Sequence, residues 1–232
     1  MDYGPGAIPS SHVPKEGREI LRRTGWWAAV LTAVFYIGWL IGLVVSFFVP
    51  APLSEYVTMA PSVFIPLAWV PLMLVISRWE AEERRIFGDI AVAFAVMYGA
   101  LLTMNYFVAL TVTIPKGGQG PDVGILAIQP QSFFLALETV GYTLMSLSAL
   151  FASFLFSGRG LRGWIRWMLM ITGIFGVGLP LQMLWATWPS PPTFMIIPRE
   201  LSLPAAAILL AVMFSRAKPA SSVHRRATSG TT

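Results

Sequence analysis

The sequence predicts an all-α integral membrane protein, a bundle of six transmembrane helices built as three hairpins. Three observations predict it. Apolar stretches of about 20 residues, the length needed to cross a ~30 Å hydrocarbon core, recur six times. The 232 residues are 56% hydrophobic and 12% charged, which is more apolar surface than a soluble domain can bury in one core. Finally, 14 of the 16 Lys and Arg residues fall on one side of the six-span reading.

The expected spans are 25–49, 55–77, 88–114, 131–156, 163–187 and 194–215, between an N-terminal tail (1–24) and a C-terminal tail (216–232). With the N-terminus cytoplasmic, the inner side collects Lys15, Arg18, Arg22 and Arg23, then Arg78, Arg84 and Arg85. Arg159, Arg162 and Arg166 follow, then Arg216, Lys218, Arg225 and Arg226. Only Lys116 and Arg199 are left outside, so the positive-inside rule selects a plasma (inner) membrane topology with both termini cytoplasmic. About two dozen mostly polar or small residues precede the first apolar run, which is too long for a signal peptide, so the first span is expected to stay as an anchor.

The net charge of +5 is this orientation bias held near anionic headgroups, and it implies membrane lipids as partners and no nucleic acid. The chain has no cysteine, which removes disulfides, thiolate metal sites and thiol nucleophiles.

Taken in order, the first span opens on Trp26 and Trp27 behind basic residues, as an interfacial anchor should. It carries Gly38 and Gly42, a GxxxG that is a close-packing surface. Packing within the bundle and packing between copies are both open, so a homo-oligomer is compatible with the sequence. The second span holds Pro61, Pro66 and Pro71, each of which removes a backbone donor. It is expected to be kinked or locally unwound, with Tyr56, Thr58 and Ser62 near the freed carbonyls, and either to fit the shape of its neighbours or to line a cavity. The inner loop Trp79–Arg85 mixes charges densely and reads as a solvated helical turn.

The third span carries Tyr98 and Asn105 seven residues apart on one face. Between it and the fourth, Ile114 to Gln131 is rich in Gly and Pro and reads as an irregular cap or lid. The fourth span holds Glu138, the one ionisable group well below the interface, about seven residues or ~10 Å inside the outer end. A lone charge there costs several kcal/mol, so Glu138 should be protonated, paired or facing a wet cavity. Thr139, Tyr142, Ser146 and Ser153 fall within about 100° of it and extend a polar stripe that must face protein. The fifth span is thinned by Gly173, Gly176 and Gly178 and carries Gln182 near its outer end. The sixth begins near Arg199 and Glu200, which are expected to form an outer-surface ion pair; the alternative is that Arg199 faces an anionic headgroup or a ligand carboxylate.

Depth alone groups Asn105, Glu138, Tyr142, Tyr98 and Gln182 as a candidate ligand-binding site opening outward. The competing reading is that Glu138 and Asn105 bond between helices, a contact worth only ~1 kcal/mol. No metal or cofactor is expected, because His12 and His224 lie in the tails and Lys15, Lys116 and Lys218 lie outside the spans. GxSxG, HExxH and P-loop motifs are absent, so no catalytic nucleophile can be named and an enzyme is not expected.

The strings Met104–Val112, Ala136–Tyr142 and Trp164-Ile165-Arg166-Trp167 resemble a family of small uncharacterised bacterial multi-pass membrane proteins. The resemblance spans roughly residues 85–175, includes Asn105 and Glu138, and implies no particular activity. The sequence thus favours binding of a small amphiphile or lipid, as a sensor or carrier. A proton-coupled transporter using Glu138 and a structural subunit of a membrane complex are the alternatives, with a lipid-modifying enzyme behind them.

Overall fold

Among the described residues, six α-helices pack as a closed ring in chain order. The computed structural model describes residues 15–80, 82–117, 126, 132–178 and 193–217. The helices are α1 (Lys15–Val45), α2 (Leu53–Trp79), α3 (Arg85–Val108), α4 (Phe133–Ser153), α5 (Leu161–Val177) and α6 (Thr193–Arg216). A 3₁₀ turn, Glu82–Arg84, leads into α3, and a π-helical turn, Ala109–Thr113, extends it. No strand occurs among the described residues. Each helix packs on its sequence neighbours, and α1 packs on α6 to close the ring.

Five of these helices are long and apolar enough to cross a membrane, against six expected. The exception is α5, whose 17 residues extend about 26 Å at 1.5 Å per residue, short of a ~30 Å core. The outside of the ring is nonetheless apolar all along: Ile41, Phe64, Leu67, Val96, Phe107, Ile174 and Ile208 are all exposed. Such a surface marks an integral membrane protein, since water would not tolerate it on this scale.

Association of apolar helices in lipid depends on close packing more than on hydrophobicity, and glycines mark where the backbones meet. The GxxxG of α1 is used inside the bundle. A Cβ at Gly42 would lie 2.7 Å from the Val57 carbonyl oxygen, and one at Gly38 would touch Pro61 at 3.6 Å. Val57 is the carbonyl that loses its helical partner because residue 61 is proline, and Gly42 lets the α1 backbone approach it closely. The second helix is continuous from Leu53 to Trp79 with all three prolines inside it; of the kink or local unwinding that the sequence led us to expect, the unwinding does not occur. Further along, Gly141 receives Leu102 and Gly173 receives Leu150, fastening α4 to α3 and α5 to α4. The ring interior is filled by Trp69, Leu72, Met73, Leu102, Phe156 and Phe214, and Trp69 Nε1 donates across it to Ser148 Oγ at 3.2 Å.

The loop between α2 and α3 is less solvated than its composition implies. Its Glu80 side chain is only 4% exposed and pairs with Arg162 at the start of α5. Of the expected irregular cap, residues 118–125 and 127–131 lie outside the described residues.

Candidate functional site: a buried polar cluster

About two turns inside the end of the ring opposite the basic residues, polar side chains from four helices converge. The fourth helix starts with a Ser132 cap, whose Oγ accepts from Leu135 N at 3.2 Å, a standard way to satisfy a first-turn donor. Asn105 Nδ2, buried on α3, donates to the Phe134 carbonyl at 3.2 Å and so fixes the first turn of α4 against α3. These two contacts set where Glu138, one and a half turns further on, meets its partner.

That partner is Tyr106. Its hydroxyl donates to Glu138 Oε1 at 2.8 Å and lies 2.7 Å from the Tyr142 hydroxyl. A phenol has one proton to give, so when Tyr106 donates to Glu138 the Tyr142 hydroxyl must donate to Tyr106. The result is a directed line, Tyr142 to Tyr106 to Glu138. On its other side the Tyr142 ring carries the guanidinium of Arg199, whose Cζ is 4.3 Å from the ring centroid, well within cation–π range. Arg199 Nη1 donates to Glu200 Oε1, and the Tyr36 hydroxyl of α1 donates to Glu200 Oε2. Tyr98 on α3 is also buried and lies within electrostatic reach of Arg199, Glu200 and Glu138.

The reach of Arg199 from α6 to α4 depends on α5, which stands between those helices in the ring. Gly176 makes it possible. A Cβ there would lie 3.2 Å from Arg199 Cδ and 1.8 Å from Ser146 Oγ, so any larger residue would push both away. Of the small residues of α5 read in the sequence as a packing surface, Gly176 is the one that admits the arginine stem.

Of the expected site residues, Glu138 and Tyr142 come together through Tyr106, with Tyr98 nearby. Asn105 is at the expected depth but bonds backbone, not Glu138. Gln182 lies outside the described residues. The Arg199–Glu200 pair forms as expected but not at the surface: Arg199 is 3% exposed. The remaining stripe on α4 faces protein, with Ser146 and Ser153 fully buried, yet their hydroxyls return to their own helix at Tyr142 O (2.8 Å) and Leu150 O (2.6 Å).

Sequence reasoning missed Tyr36 and Tyr106 as cluster members and missed the burial of Arg199. The depth rule that singled out Glu138 applies equally to Arg199, the seventh residue of α6. Nothing in the one-dimensional pattern distinguished Tyr106 from Asn105 beside it.

Two open cavities lie elsewhere. One of about 330 Å³ is an apolar groove between α1 and α6, lined by Trp26, Val30, Ile37, Ile208 and Val212 among others. The other, about 260 Å³, sits by Ala51, Pro52, Glu55, Ile114, Pro115 and Gly117. Neither includes Glu138, whose side chain is half-buried, as are those of Tyr142 and Glu200. Among the described residues no group of His, Asp or Glu side chains is arranged to hold a metal. Compared with protein-family models, curated proteins and solved structures, the chain matches none.

Proposed function

We propose that the chain is a six-span protein of the plasma membrane with both termini cytoplasmic, and that it binds the head of a small amphiphile or lipid at the Glu138 cluster as a sensor or carrier. The supporting observation is the concentration of two carboxylates, one guanidinium and four tyrosines at one depth of an otherwise apolar ring. Fastening two helices needs far less. A single interhelical hydrogen bond contributes ~1 kcal/mol, whereas ionisable groups at this depth are costly and in membranes mark ligand and ion paths. Glu138 would accept a hydrogen bond or ion pair from the head, Tyr142 would orient it, and Asn105 would hold the α3–α4 frame. Tyr36, Tyr98 and Tyr106 are buried, so binding against them includes a displacement of tyrosine side chains or of α6. The skewed distribution of basic residues supports the orientation.

A second reading, proton-coupled transport, is favoured by the directed Tyr142–Tyr106–Glu138 line, which is a ready path for a proton. It predicts substrate uptake that follows a proton gradient and disappears in Glu138→Gln.

Native mass spectrometry of gently extracted wild type and Glu138→Gln tests the main reading. A defined adduct on wild type that is missing from the variant is the expected result. Bare protein, or bulk phospholipid equally on both, would reduce Glu138 to helix-packing glue, the outcome that a scaffold role predicts.

A further inference from the structure

The arginine of the cluster is only partly used. Arg199 Nη1 is committed to Glu200, and the face of the guanidinium lies on Tyr142. Its Nε and Nη2 are buried and have no hydrogen-bond partner among the described residues. These two nitrogens form the side edge of the guanidinium, the pair of parallel N–H donors that engages both oxygens of a carboxylate or phosphate at once. Leaving two charged donors unsatisfied in a buried site is expensive. The cost is avoided when a ligand supplies the acceptors.

We propose that the side edge of Arg199 is the head-group subsite and that it takes an oxyanion-headed amphiphile, with a carboxylate as the best match. The proposal rests on the reading of the cluster as an amphiphile site and moves the head from Glu138 to Arg199: a carboxylate has no proton or positive charge to give Glu138, which keeps its bond to Tyr106. Glu200 already balances the charge of Arg199, so the edge lacks acceptors and not a counterion. A carboxylate offers two acceptors at the spacing of the fork. An alcohol offers one and brings a donor, and an ammonium brings only donors. The aliphatic stem of Arg199 is held by the gap at Gly176 and its plane by Tyr142, so the edge points in one fixed direction without a further ordering cost.

The test uses the purified full chain with three probes of equal chain length: oleate, oleyl alcohol and oleylamine, at matched micelle loading, with retention read by native mass spectrometry. Oleate is expected to bind at least about tenfold tighter than either of the others, the difference that one charge-assisted fork supplies. Arg199→Lys keeps the charge but loses the fork, and is expected to abolish that preference. Equal or tighter binding of the alcohol or the amine overturns the oxyanion assignment and leaves the amphiphile reading standing, as does a preference that survives in Arg199→Lys. Retention of none of the three brings down the amphiphile reading and this proposal with it. Should Arg199→Lys fail to fold, the wild-type series decides alone.

Discussion

Two arginine–glutamate pairs lie near opposite ends of the ring with a carboxylate little exposed to solvent, and they are built differently. At the basic end Arg162 of α5 meets Glu80 of the α2–α3 loop, with the guanidinium 43% exposed and the carboxylate 4%. Near the other end Arg199 and Glu200, neighbours on α6, are 3% and 12% exposed, and their outer contacts run to Tyr142 on α4 and Tyr36 on α1. The first pair bridges two segments and keeps its arginine in reach of water. The second is internal to one helix, so it fastens nothing by itself; what joins the helices are the tyrosines around it. A latch explains the first pair. It does not explain why a charge is carried into the ring interior with two of its nitrogens left idle.

Breaking the buried pair should have the largest effect. Arg199→Leu leaves Glu200 uncompensated and is expected to lower stability by about 3–5 kcal/mol, read from the unfolding midpoint in detergent. Removing both charges in Arg199→Leu/Glu200→Leu should cost less than the single change, because buried pairs replaced by apolar groups are often near neutral. A double variant as unstable as the single one would show that the tyrosine contacts, not the charge balance, carry the stability.

Next in size is Gly176→Ala, which places a methyl group 1.8 Å from Ser146 Oγ. Overpacking of this kind costs about 1–3 kcal/mol. Ser146→Gly in the same chain should recover most of it, since the two nearest atoms belong to Ser146. Without recovery, the Arg199 stem is the tighter contact.

Arg162→Ala should cost less than Arg199→Leu, about 1–2 kcal/mol: its own guanidinium is half-exposed, but the Glu80 carboxylate it leaves behind is 4% exposed. The smallest effect concerns pH. Burial pushes the Glu80 carboxyl above its ordinary value of 4.5, with Arg162 pulling the other way. The folded state therefore binds this proton more tightly than the unfolded chain does. Its contribution to stability is greatest below 4.5, declines as pH climbs through the raised value, and is constant above it. Glu80→Gln removes that slope, so the unfolding midpoint of the variant should vary less with pH from 4.5 upward than that of wild type.

The helical architecture was legible because membrane spans are written in long apolar runs, and the hairpin order because short connections leave few alternatives. Glu138 was legible for the same reason in reverse, as a charge where none is cheap. The partners were not. Tyr106 and Asn105 are adjacent, and which of them faces Glu138 depends on how α3 is rotated, a matter settled by packing at Gly141 against Leu102. Arg199 was read as an interfacial residue because it lies near the outer end of the sixth span with Glu200 beside it. Its burial follows from the gap at Gly176 on another helix, which no local pattern of α6 contains. The prolines of α2 suggested local unwinding, yet the helix stays continuous, with Gly42 of α1 close against the Val57 carbonyl that Pro61 leaves without a donor.

The central claim is that the cluster is a ligand site and not glue, and ligand-dependent thermal stability tests it most directly. A ligand that binds only the folded protein raises the unfolding midpoint in proportion to its saturation. Titrating oleate into wild type and Arg199→Lys side by side, we expect a saturable rise in wild type and a much weaker one in the variant. An equal rise in both, or none in either while the variant unfolds like wild type, would contradict the account and leave the cluster as packing.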